Sequence, residues 1–186
     1  IARRHGGVWA QVESPTTAAL ESIDLRTDDD GWAVGADIVL RYRDGVWRET
    51  QRLADVDLHA VAAVAADEAW AVGSDRQGMT GIVLHYAGSR WQAVPAPAFA
   101  ALHAVEMLSP AEGWAVGDLG TILHFQHGEW TEALSPTSQA LYALRMRSAG
   151  EGWAVGQDGV VLRYRDGEWT EEAPVAERSL HALSLD

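Results

Sequence analysis

Glu112-Gly113-Trp114-Ala115-Val116-Gly117-Asp118-Leu119-Gly120-Thr121-Ile122-Leu123-His124-Phe125-Gln126-His127-Gly128-Glu129-Trp130 is the stretch on which the fold turns. It holds two tryptophans, a short apolar run after each of two glycine-bearing breaks, and no helical period. The same text recurs along the chain. Trp9, Trp47, Trp91, Trp130 and Trp169 each follow a glycine by two or three residues. Eleven residues after each stands a leucine: Leu20, Leu58, Leu102, Leu141 and Leu180. Twenty-three residues after the first four stands a second tryptophan: Trp32, Trp70, Trp114 and Trp153. Each second tryptophan sits in a Gly/Ala-Trp-Ala-Val-Gly pentapeptide, and 15, 21, 16 and 16 residues separate it from the next first-type tryptophan. All variation in length therefore falls just after the pentapeptide.

A unit of roughly 40 residues with four short apolar segments is the size of a four-stranded propeller blade. In the unit quoted, strand A is Leu102 to Met107, strand B Trp114 to Gly117, strand C Thr121 to Phe125 and strand D Trp130 to Ala133. Strands C and D are joined by pairs such as Asp44-Gly45, His127-Gly128 and Asp166-Gly167, which accept the positive φ that two-residue hairpins need. One blade cannot bury both of its faces, whereas a ring of blades buries them and hides most sheet edges. The reading is all-β: a β-propeller of about five blades, each of four antiparallel strands, forming a single domain over residues 1–186. The tryptophans and the Ala-Val pairs are its inter-blade core. Ile1 to Val12 reads as strands C and D, and Ser179 to Asp186 as strand A, of one composite closing blade that lacks strand B. With no initiator methionine at Ile1, the expectation is a segment of a longer protein.

Composition excludes several functions. The net charge is −13, from 27 acids against 14 bases, all of them arginine. Such a balance opposes non-specific nucleic-acid binding and docking on anionic membrane surfaces. No apolar run is long enough to span a bilayer as a helix, so direct membrane insertion is not expected. The chain has no cysteine, which removes disulfides, thiolate metal sites and cysteine nucleophiles. That absence suits either side of a membrane; an extracytoplasmic bacterial setting is the expectation.

The run from Glu112 through Gly128-Glu129-Trp130 resembles the repeat of the bacterial photosystem II stability and assembly factor family, which is related to the Asp-box repeats of sialidases. The resemblance extends over the whole chain, unit by unit. It implies a propeller with a general assembly or binding role. The family's turn usually reads Ser/Thr-x-Asp-Gly-Gly-x-Thr-Trp, and here it is shortened to forms such as Arg43-Asp44-Gly45-Val46-Trp47. The family's arginine-rich client face is replaced by scattered arginines in an acidic chain, so a photosystem role does not carry over.

The sequence presents no catalytic set. Arg41, His85, His124 and Arg163 share one strand-C position, a repeat preference in place of an asymmetric active site. No Ser–His–Asp triad or carboxylate pair stands out. The expectation is a non-enzymatic protein-binding or scaffolding propeller without a cofactor. The alternatives are a small-ligand or divalent-metal binder using the central channel, and a sialidase-like glycan enzyme. For the metal reading, the residue after the strand-A leucine is Glu21, His59, His103, Tyr142 and His181. With strand A innermost these line the channel mouth, and three histidines with one glutamate are the donor types of a zinc shell. The competing reading is hydrogen bonding between neighbouring strands. Asp28-Asp29-Asp30 and the acids equivalent to it read as solvated A–B turns. For partner binding, Ser74 to Thr80 is about six residues longer than its counterparts. Arg76 and Met79 within it, with Phe99 on a long D–A connection, mark the one face that departs from the repeat.

Overall fold

A computed structural model of the chain describes residues 1–173 and 176–185. It contains eighteen strands and, among the described residues, no α-helix. A hairpin of β1 (Ala2–His5) and β2 (Val8–Gln11) precedes four complete blades. Blade 1 comprises β3 (Ser22–Thr27), β4 (Asp30–Gly35), β5 (Ile38–Arg43) and β6 (Val46–Arg52). Blade 2 comprises β7 (Val56–Ala65), β8 (Glu68–Asp75), β9 (Gly81–Ala87) and β10 (Trp91–Ala93). Blade 3 comprises β11 (Leu102–Ser109), β12 (Glu112–Gly117), β13 (Ile122–Gln126) and β14 (Glu129–Glu132). Blade 4 comprises β15 (Leu141–Ser148), β16 (Glu151–Gly156), β17 (Val161–Arg165) and β18 (Glu168–Glu171). Each blade is an antiparallel meander in chain order, with the A to D assignment expected from the spacing.

Local chemistry explains the strands. Strands C and D turn back through Gly6-Gly7, Asp44-Gly45, His127-Gly128 and Asp166-Gly167, all at positive φ, as a right-twisted two-residue hairpin requires. Strand B carries Gly35, Gly73, Gly117 or Gly156 at or near its end, where the backbone at the entry to strand A comes so close that a Cβ would strike the carbonyl oxygen of Ala19, Asp57, Ala101 or Ala140. Trp32, Val34, Trp114 and Val116 on strand B are fully buried, and they pack across to the next blade as well as within their own. The indole of strand B meets the strand-D indole of the following blade edge-on: Trp32 with Trp91 at 5.0 Å, Trp70 with Trp130 and Trp114 with Trp169 at 5.6 Å. That interlock holds the arc together, since buried aromatic pairs add to the area they remove from water.

The closing blade differs from expectation. β1 and β2 form a two-stranded sheet by themselves, and Leu180 to Leu185 joins no sheet. Asp186 lies outside the described residues. Strands A and C are never neighbours in a blade: each pairs with B, so without B they stand about 10 Å apart, two inter-strand spacings, and cannot share hydrogen bonds.

Candidate functional site

Every blade carries the same polar cluster. Strand register sets Arg41 opposite Trp32, His85 opposite Trp70, His124 opposite Trp114 and Arg163 opposite Trp153. The base lies flat on the indole: His124 stacks on Trp114 at 3.8 Å and 7°, His85 on Trp70 at 4.0 Å, and the Arg41 guanidinium over Trp32 at 4.2 Å. An acid at the start of strand B closes each cluster. Asp30 binds Arg41, Glu68 lies 3.5 Å from His85, Glu112 3.7 Å from His124, and Glu151 accepts from Arg163 at 2.8 Å. The A–B acids are therefore not simply solvated: Asp30 is buried. Burial holds the His124 imidazole below its ordinary value against the opposing pull of Glu112. Four copies of one cluster, each consumed in packing, are a structural device.

The four innermost strands and residues 181–183 enclose a channel of about 430 Å³. Its mouth carries an aromatic arc: His59 on His103 at 5.3 Å, His103 against Tyr142 at 5.4 Å, and Tyr142 on His181 at 4.7 Å. His59 Nδ1 is 2.8 Å from the Leu102 carbonyl oxygen, and His103 Nε2 is 2.7 Å from Asp118 Oδ1. Glu21 also lines the channel. Among the described residues no three His, Asp or Glu side chains are gathered closely enough to hold a metal ion. Deeper in the channel, carboxylates tie one strand A to the next. Asp24 accepts the Ala63 N–H at 2.8 Å, and Glu106 accepts the Met146 N–H at 2.8 Å.

Burial pushes the Glu106 carboxyl above its ordinary value, against the pull of the Met146 amide and Arg145, with Asp24 adding to the rise. An acid raised on folding stabilises fully below its unfolded value, and that stability is lost as pH rises through the folded value. Wild type is therefore expected to gain stability relative to Glu106→Gln as pH falls from 7 to about 4, near the ordinary glutamate range. Urea midpoints of both proteins across that window check it. A constant difference between the two would contradict it.

The opposite observation marks the face that carries the B–C and D–A loops. Asp75 fixes the long loop: its carboxylate accepts the Met79 N–H at 2.8 Å, and that bond holds its own titration below the usual range. Met79 is left pointing outward, 72% exposed, beside Phe99 at 81%. The two line a groove of about 420 Å³ with Leu119, which is 73% exposed. Arg76 stands apart, 3.9 Å from Asp55 and not on the groove. Leu119 escapes a reading of the sequence by residue type. It sits at φ 57°, a left-handed conformation that costs a leucine about 1–2 kcal/mol. Blade 4 places Asp158, a residue more tolerant of that region, at the equivalent φ of 52°. The visible signal was a leucine where the sister repeat has aspartate.

No protein-family model matches the chain, and no curated protein sequence does. Solved structures match it strongly. One described as "YCF48 bound to D1 peptide" superposes with a TM-score of 0.70 at 19% identity, over 92% of this chain and 60% of that one. YCF48 from Cyanidioschyzon merolae gives 0.68 at 22% identity, over 92% of this chain and 61% of that one. The calcium-binding protein regucalcin from Agrobacterium tumefaciens gives 0.64 at 13%, over 90% of this chain and 62% of that one. This chain thus spans about three-fifths of the length of the structures it resembles. At such identities the likeness carries the fold, and the propeller expected from the repeat is met.

Proposed function

We propose that the chain is a non-enzymatic, protein-binding propeller domain whose contact surface is the groove formed by Met79, Phe99 and Leu119. The observation that carries this reading is the grouping of three large apolar side chains, each more than 70% exposed, on the one face where the repeat is broken. Isolated exposed apolar residues need no explanation, but a cluster rimming a groove marks an interaction site. Methionine and aromatic residues are also enriched where partners anchor. Leu119 supports it further, because its backbone cost is retained where an aspartate would relieve it. A solved structure of the same fold is described as peptide-bound, in keeping with a propeller face used for peptide capture. The ligand this groove fits is an apolar side chain on a segment with a basic flank, given Asp118 in the groove and the net charge of −13.

Selection of a displayed peptide library against the intact chain tests the reading. Enriched peptides are expected to carry that apolar-basic pattern. Shortening Ser74 to Thr80 to the length of the other B–C loops should weaken them about tenfold, the loss of roughly 1–2 kcal/mol from one anchor. Enriched peptides whose affinity is indifferent to the loop would move recognition to the channel mouth.

A further inference from the structure

One histidine ties the channel to the groove. The residue after the strand-A leucine and the residue after the strand-B glycine are Glu21 and Ala36 in blade 1, His59 and Ser74 in blade 2, and Tyr142 and Gln157 in blade 4. Only blade 3 places a base and an acid at these positions, His103 and Asp118. They meet: His103 Nε2 is 2.7 Å from Asp118 Oδ1, with the two side chains 23% and 38% exposed. Asp118 lines the groove beside Leu119, while His103 lines the channel. Backbone bonds fix Asp118 on both sides. Its N–H donates to the Ala101 carbonyl at 2.8 Å, and its own carbonyl accepts the Thr121 N–H at 3.0 Å and the Thr121 hydroxyl at 2.7 Å. Among the described residues, Asp118 Oδ2 and His103 Nδ1 have no hydrogen-bond partner.

We infer that His103 is a specificity-determining residue of the groove, whose charge sets how well Asp118 holds a basic flank. This role rests on the Met79–Phe99–Leu119 groove being the contact surface. An ionised carboxylate only accepts hydrogen bonds, so Nε2 carries a proton in both charge states of the ring. Acid adds the second proton at Nδ1, and the contact with Oδ1 persists. Geometry therefore stays while charge changes. Beside a neutral imidazole, Asp118 presents a full negative charge to the groove, with Oδ2 open to an ammonium or guanidinium. Beside an imidazolium the pair is neutral, and a ligand cation on Oδ2 meets a second cation across one carboxylate. Histidine makes that change between about pH 5 and 8. The repulsion, acting through partly shielded groups, is worth about fivefold in affinity. His59 stacks on the ring from β7 at 5.3 Å, and Tyr142 meets it edge-on from β15 at 5.4 Å. Glu21 and His181 stand elsewhere on the channel wall, and Glu106 is bound to the Met146 N–H. None of these five lines the groove, so Asp118 is the group through which the ring reaches a ligand there.

Calorimetric titration of the intact chain at about pH 8 and about pH 5.5, on either side of the histidine range, tests this. The probes are two N-acetylated, histidine-free peptides: a library-selected one with the apolar-basic pattern, and the same peptide with its basic residues replaced by glutamine. On the wild-type chain the first should bind about fivefold more weakly at the lower pH, and the second equally at both. His103→Gln, which keeps a neutral donor beside Asp118, should bind the first peptide without that fall. Asp118→Asn should bind the first peptide without that fall and with no preference for it over the second. No fall on the wild-type chain would overturn the inference, and that measurement needs no variant to fold. A fall that persists in His103→Gln, or that the glutamine peptide shares, would overturn it too, as would groove ligands selected without a basic residue. Met79→Asp with Phe99→Asp separates the two readings. If that double variant loses the peptide while the fall persists in His103→Gln, the groove stands and the role of His103 falls. If the double variant binds as the wild type does, the groove falls and this role with it.

Discussion

Replacing Trp114 by alanine is expected to remove about 3–5 kcal/mol of stability, the usual loss for a large aromatic taken from a packed interior. Trp114 is 2% exposed and sits where blades 3 and 4 join. One face carries the His124 ring at 3.8 Å, and its edges meet Tyr164 at 4.7 Å and Trp169 at 5.6 Å. No neighbouring side chain is free to collapse into the space, because strand register fixes every one of them. The same substitution at Trp9, which is 68% exposed, should cost less than about 0.5 kcal/mol. Urea unfolding of the two variants measures the contrast directly. Should Trp114→Ala fall below the range in which a folded baseline exists, Trp114→Phe keeps part of the apolar bulk and allows the comparison. Similar small losses at both positions would mean that the indoles are not the inter-blade core.

Introducing charge into the groove has the second large effect. Met79→Asp with Phe99→Asp should weaken peptides selected on the wild-type chain by at least about 30-fold, the loss of one anchor worth about 2 kcal/mol. A carboxylate there meets an apolar ligand side chain and leaves its own charge desolvated in the complex. Both residues are more than 70% exposed, so the double variant should unfold at the wild-type urea midpoint. Unchanged affinity with an intact fold would remove these residues from the interface.

Much of this architecture was legible in the sequence because its signals are local. Asp44-Gly45 specifies a hairpin by itself, and the interval from Trp91 to Trp114 counts out strands without knowledge of their partners. What stayed hidden depends on distant neighbours. Ile23 and Val61 occupy the same repeat position, yet one is bare and the other buried, because only the second has a strand B from the preceding blade. The two ends, read as parts of one composite blade, share no sheet among the described residues because no strand B lies between them. Asp30 reads as one more turn acid until Arg41 from the next strand closes over it. At the candidate site, the loop length singled out Met79 and the connection singled out Phe99. Leu119 required the backbone angle, and Arg76 belongs to Asp55 rather than to the groove.

On the function proposed here, the repeat is spent on packing and recognition lies where the repeat is broken. Amide hydrogen exchange of the intact chain, with and without a library-selected peptide, tests it most directly. New protection is expected at Gly78 to Met79, Phe99 to Ala100 and Asp118 to Leu119, with strand-B amides of all four blades unchanged. Protection at the channel arc of His59, His103 and Tyr142, with none at those three loops, would contradict it.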